Sequence, residues 1–135
     1  MIFLYIVIFL SLGQVHEIKW KNSVYEMKMP TKIHKTDKFI YKEGVYFDYF
    51  FEDSSKITIH LGGMIEIPIL NDVEYIVLNE ENKEDLVFRK GVYLGDKKMY
   101  WAEINTKNYN IYFENVDEQS VNIYVNSIFS FRKVK

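Results

Sequence analysis

The sequence predicts an α+β fold, an antiparallel β-sheet of five to seven strands with a C-terminal helix packed on one face. Three observations predict it. Strand-favouring residues dominate the 135-residue chain: 16 Ile, 12 Val, eleven Tyr and ten Phe stand against one residue of the best helix former, Ala102. Two pairs of alternating apolar and polar runs flank turn-type residues, as in hairpins. The C-terminal stretch then changes from alternation to helical spacing. With a strand in that last position the fold becomes an all-β barrel or sandwich.

Residues 33–41 form a first strand candidate. Residues 45–51 (VYFDYFF) and 56–61 (KITIHL) flank Glu52-Asp53-Ser54-Ser55 and make the first hairpin. A two-residue turn at Asp53-Ser54 pairs Phe50 with Ile57, Asp48 with Ile59 and Tyr46 with Leu61. It leaves Phe47, Tyr49 and Phe51 with Lys56, Thr58 and His60 on the second face, more aromatic than a solvated face requires. Gly62-Gly63 ends the strand in a bend or bulge. Residues 73–78 are a strand candidate and 79–84 (NEENKE) a charged loop.

A second hairpin joins 85–93 to 98–105 through Gly95-Asp96. In that register Arg89 faces Ala102, Gly91 faces Tyr100 and Lys90 lies beside Trp101. Another strand follows at 109–114. Residues 117–128 are expected to be helical: capping residues lie at 115–117, acids at Asp117 and Glu118, and Val121, Tyr124, Val125 and Ile128 form one apolar face. Residues 130–134 make a last short strand or tail.

Residues 2–12 (IFLYIVIFLSL) are apolar but shorter than the roughly 20 residues needed to span a bilayer. They suit the core of a secretory signal, with the small residues Ser11 and Gly13 before a cut at Gln14, although no Lys or Arg precedes them. The expected organisation is a signal peptide at 1–13 and one globular domain at 14–135, exported to the periplasm or beyond, with no membrane span in the mature chain. If 1–13 is retained, the run is a buried first strand of a cytoplasmic protein.

The net charge of −2 argues against nucleic acid as partner. Absence of cysteine excludes disulfides, thiolate metal sites and cysteine nucleophiles. The 15 Lys and 2 Arg match AT-rich coding, so individual Lys, Asn and Tyr residues carry little functional meaning.

His16, His34 and His60 lack metal-ligand spacing, and no phosphate loop is present, so neither a metal nor a cofactor is expected. Ser54 or Ser55 with His60 and Asp53 could be written as a triad, but those serines lie in a turn without a nucleophile elbow. Arg89, Lys90, Tyr100, Trp101 and Glu103 cluster on the second hairpin and are residue types of contact hot spots. With Phe47, Tyr49, Phe51 and His60 they are the candidate binding residues. The expected function is a non-enzymatic exported binding or accessory module whose partner is a protein or small ligand. The alternatives are a hydrolase-type enzyme using Glu103, Asp48 or His60, and a carrier of a small apolar ligand.

The segments YFDYFFEDSSKITIHLGG (46–63), RKG (89–91), YWAE (100–103), IYFENV (111–116) and SIFSF (127–131) resemble small exported bacterial proteins of unknown function. Their arrangement, two hairpins and a terminal helix ending in a Ser-Phe strand, also looks like the PsbP-like sandwich. The resemblance covers about two-thirds of the chain and implies a sheet with helices on it and an accessory or binding role.

Export is tested by mass spectrometry of the protein from its native host. The mature species should begin at Gln14, and an intact Met1 in a cytosolic fraction would overturn the assignment.

Overall fold

The computed structural model describes residues 14–62 and 74–135. The apolar run at 2–12, Gly63 and the first residue of the 73–78 strand candidate lie outside the described residues. Ten strands and one helix follow in order: β1 (Val15–Trp20), β2 (Ser23–Lys28), β3 (Lys35–Tyr41), β4 (Gly44–Phe50), β5 (Lys56–Gly62), β6 (Tyr75–Lys83), β7 (Leu86–Tyr93), β8 (Tyr100–Thr106), β9 (Tyr109–Val116), α1 (Val121–Phe129) and β10 (Arg132–Lys133). The protein is thus mostly β with a short C-terminal helix. Strands β3-β4-β5-β9-β8-β7-β6 form a seven-stranded antiparallel sheet and β1-β2-β10 a three-stranded one. No described helix is long and apolar enough to cross a membrane.

The first hairpin differs from the expected register by one residue. Ser54 N–H donates to Phe51 O at 3.2 Å, Ser54 takes φ 71°, and Phe51 N–H donates to Ser55 O at 3.1 Å. Glu52-Asp53-Ser54 is therefore a three-residue loop ending in a left-handed residue. Asp53 Oδ1 fixes it by accepting from Ser55 N–H at 3.0 Å and Ser55 Oγ–H at 2.5 Å. Tyr49 then pairs with Ile57, Phe47 with Ile59 and Val45 with Leu61. A one-residue change of register exchanges the faces of a strand. Phe47, Tyr49 and Phe51 consequently belong to the core, whereas Tyr46 and Phe50, expected there, lie on the other side.

The chain itself covers that aromatic row. The rings of His16 in β1 and Tyr49 meet edge to face at 5.1 Å, as do those of Phe51 and Tyr124 of α1 at 5.6 Å. Tyr124 also meets Phe113 at 5.7 Å, and Phe131, just before β10, stacks on Tyr25 of β2 at 5.2 Å. One apolar cluster links both sheets and the helix through Ile18, Met27, Ile59, Ile111, Phe113 and Ile128.

Three further expectations change. β1 and β2 arise from a stretch with weak strand signals, and their pairing places Ile18 and Met27 in the core. Residues 79–84 are not a loop: β6 continues through Asn79–Lys83 before the short turn at Glu84-Asp85. It is an edge strand, exposed along its length, where Glu80, Glu81 and Lys83 discourage pairing with another chain. The β7–β8 connection takes residues 94–99 instead of a tight Gly95-Asp96 turn, so Arg89 faces Glu103 and Gly91 faces Trp101.

The expected helix exists but starts later, at Val121, with Val121, Tyr124 and Ile128 buried as anticipated and Val125 half-buried. Its N-cap is Ser120 and no acid lies in its first turn; Asp117 Oδ1 instead accepts from Ser120 N–H at 2.9 Å in the preceding turn.

Because Tyr49 is 1% exposed, Tyr49→Ala should lower the unfolding free energy by about 3–5 kcal/mol in denaturant melts. A loss under about 0.5 kcal/mol is what a surface ring would give.

Candidate functional site

The face of the seven-stranded sheet turned away from α1, here called the outer face, holds an unusual set of side chains. One row of register partners crosses all seven strands: Asp37, Asp48, Thr58, Tyr112, Glu103, Arg89 and Glu80. Every member is polar. A parallel row contains Phe39, Tyr46, His60, Asn110 and Asn105. The solvated side of an antiparallel sheet ordinarily carries exposed polar residues. Here Thr58, His60, Trp101 and Glu103 are buried.

Each of these groups is held by cross-strand neighbours. Glu103, 6% exposed, accepts from Arg89 Nη1–H at 2.9 Å. Burial pushes its carboxyl up from the ordinary range, and the Arg89 charge and the Asn105 side chain offset part of that rise. The Arg89 guanidinium also lies 5.5 Å from the centre of the Trp101 ring, a cation–π contact. Trp101 in turn lies over Gly91: a Cβ there would stand 2.7 Å from the indole and against Ile76 O. The RKG sequence therefore combines an arginine that reaches over the indole with a glycine that makes room for it.

At the other end, Tyr46 stacks on His60 with ring centres 4.4 Å apart, and Tyr41 Oη and His60 Nε2 are hydrogen-bonded to each other. Burial lowers the His60 pKa, with the Asn110 side chain acting in the opposite direction, while burial followed by the Tyr46 and Glu43 charges raises that of Tyr41. Gly44 and Gly62 pair beside this cluster, with Gly62 at φ 76°; a Cβ on Gly44 would stand 2.7 Å from Tyr41 Oη. Between the two ends, Thr58 Oγ1–H donates to Asp48 at 2.6 Å and Lys56 pairs with Glu114 at 2.9 Å.

Of the candidate residues read from the sequence, His60, Arg89, Trp101 and Glu103 share this face. Phe47, Tyr49 and Phe51 lie in the core, and Lys90 and Tyr100 lie on the helix side, where Tyr100 Oη–H donates to Glu118 at 3.3 Å. Tyr41, Tyr46, Tyr93, Asn110 and Tyr112 join the face without having been singled out. Alternation would have found them from correct registers, but Tyr and Asn are too common in this composition to attract notice individually.

Asp48 and Glu103 are separated by two intervening strands, hence by about 14 Å of backbone, whereas glycosidase carboxylates stand about 5–9.5 Å apart. Among the described residues, no group of three or more His, Asp or Glu side chains forms a metal-binding cluster. Away from the outer face, a cavity of about 370 Å³ is lined by Pro30, Lys32, Glu52, Asp53, Ile123 and Tyr124. Asp53 in its wall is already engaged by Ser55 and, at 3.3 Å, by Tyr124 Oη–H. Comparison with protein-family models, characterised proteins and solved structures finds no match to this chain.

Glu103 gives the site a measurable pH signature. Its raised folded-state pKa means that the folded protein holds the proton more tightly than the unfolded chain does. Its contribution to stability therefore declines as pH rises from the ordinary Glu value through the raised one. In chemical denaturation across that window, Glu103→Gln should gain stability relative to the parent as pH rises. A difference that stays constant with pH would show that the carboxyl is not desolvated.

Proposed function

We propose that this protein is a non-enzymatic exported binding module whose ligand surface is the outer face of the seven-stranded sheet. One observation carries the reading: Thr58, His60, Trp101 and Glu103 are buried on the side away from the helix. Burying a charged or polar group is unfavourable unless partners compensate it. A sheet back serving only solubility has no use for such an arrangement. The chemistry favours recognition over reaction. Glu103 is held by Arg89, Asp48 by Thr58, His60 Nε2 by Tyr41, and Ser55 by Asp53 and, at 2.5 Å, by Tyr124. Engaged in this way, the groups form a fixed polar and aromatic layer whose accessible part is the half-buried Tyr46, Asp48, Arg89 and Tyr112. Export rests on the apolar run at 2–12 with Ser11 and Gly13 before Gln14.

Screening a library of small polar fragments by amide chemical-shift mapping tests this assignment. The shifts should concentrate on β5, β7, β8 and β9 at Thr58, His60, Arg89, Trp101, Glu103 and Tyr112. Shifts concentrated at the cavity by Lys32 and Tyr124, with the outer face silent, would overturn it.

A further inference from the structure

We infer that the cavity where the β4–β5 turn meets the start of α1 is a second binding site, for a small zwitterion, namely a free α-amino acid with an apolar side chain. The cavity, of about 370 Å³, lies away from the outer face, and every residue lining it is among the described ones. Pockets that hold small ligands measure about 300–1,000 Å³, so one such molecule fits. Three segments far apart in sequence build it: the connection from β2 to β3 with Pro30 and Lys32, the β4–β5 turn with Glu52 and Asp53, and the start of α1 with Ile123 and Tyr124. Each segment is pinned from outside the cavity. Ser127 Oγ–H donates to Lys28 O at 2.5 Å and His34 N–H to Phe50 O at 2.8 Å, one on either side of residues 30–32. Ser55 Oγ bonds both Asp53 Oδ1 and Tyr124 Oη at 2.5 Å, which fixes the turn against the helix. The walls therefore stand in place before a ligand arrives. Lys32, Glu52 and Asp53 are exposed, so the cavity opens to solvent.

Charge and shape select the class of ligand. Glu52 and Asp53 bring two carboxylates to the cavity and Lys32 one ammonium, so its lining carries both signs with acid in excess. A simple anion such as phosphate would meet two carboxylates for one cation. A ligand ammonium suits the carboxylates, and a carboxylate on the same ligand suits Lys32. Asp53 is already oriented for the ammonium. Its Oδ1 is taken by Ser55 N–H at 3.0 Å and by Ser55 Oγ–H. Its Oδ2 has Tyr124 Oη–H at 3.3 Å, longer than the roughly 2.5–3.0 Å usual for such a pair, and so keeps acceptor capacity for a further donor. The rest of the lining is apolar. Pro30 is buried, and Tyr124 adds its ring. Val121, Tyr124 and Ile128 carry the contact of α1 with the core, whereas Ile123 lies off that face, 42% exposed, and walls the cavity. An aliphatic side chain seated on these surfaces is shielded from water while its two charged ends meet opposite charges. A wholly apolar ligand would instead desolvate three charged groups without pairing them.

The test titrates ¹⁵N-labelled protein at neutral pH with leucine, with its decarboxylated amine 3-methylbutylamine, with its deaminated acid 4-methylpentanoate, and with inorganic phosphate. Leucine should shift the amides of Lys32, Asp53 and Ile123. The amine should shift them more weakly, and the acid and phosphate should leave them in place. Glu52→Gln and Lys32→Gln change exposed side chains and should melt with the parent. Each should nevertheless weaken leucine binding by about fivefold. Glu52→Gln should weaken the amine as well, whereas Lys32→Gln should leave amine binding unchanged. Silence of these amides toward leucine would overturn the site. The acid or phosphate acting as strongly as leucine would overturn the ligand class, as would undiminished leucine binding by both variants. An amine that binds as tightly as leucine would replace the zwitterion with a simple cation and overturn the role of Lys32. The outer face should stay silent throughout this series, so the result is independent of the role proposed for that face.

Discussion

The Glu52-Asp53-Ser54 turn determines which side of the central strands is buried, and the rest of the structure depends on it. Strand side chains alternate with period two, so the number of loop residues decides the face of every side chain in β4 and β5. Three loop residues with Ser54 in the left-handed region put Tyr49 and Ile57 opposite one another facing α1. Two residues would have turned Asp48 and His60 to different surroundings. Asp53 holds this geometry through Ser55, and Ser55 Oγ is also bonded to Tyr124 Oη of α1 at 2.5 Å. The turn that sets the register is therefore tied to the helix covering the face it selects.

From that choice follow two faces of different chemistry. The helix side gathers Ile, Phe and Tyr side chains, and its stability comes from apolar burial. The outer face gathers Asp, Glu, Arg, Thr, His and Trp in rows across the strands. A partly buried pair such as Arg89–Glu103 is weak evidence for stability, because desolvation of Glu103 consumes much of its attraction. The glycines make the same distinction. Gly91 admits the Trp101 indole, and Gly44 lies against Tyr41, so both permit close packing on the outer side.

The covering layer is assembled from the two ends of the described chain. β1 and β2 pair with each other, and β10 joins β2 after the helix. Val134 N–H donates to Val24 O at 2.7 Å and Arg132 bonds Glu26, closing the C-terminal end against β2. Such pairings are distant in sequence, so the core over Tyr49 and Phe113 is complete only when both ends have docked.

Some of this was legible in the sequence because the signals were local. The strand-rich class, the hairpins around residues 51–55 and 93–100, the strand at 109–116 and the terminal helix follow from composition, turn residues and spacing within a few positions. The joint presence of Arg89, Trp101, Glu103 and His60 on one face was partly legible, since residue type alone marked them. Register was not legible. Ser54 adopting φ 71° and the longer 94–99 connection each alter the pairing by one residue, and no side-chain pattern distinguishes the parities when both faces of VYFDYFF are aromatic. β1, β2 and the polar end of β6 were missed for a related reason: backbone pairing with neighbours makes Asn79–Lys83 a strand that its own residues do not favour. The sequence by itself determined that aromatic, β-branched hairpins and a short helix would share one core. Tertiary structure alone decided which aromatic residues fill it and which polar residues are buried behind it, because face selection depends on loop length and on contacts between distant segments.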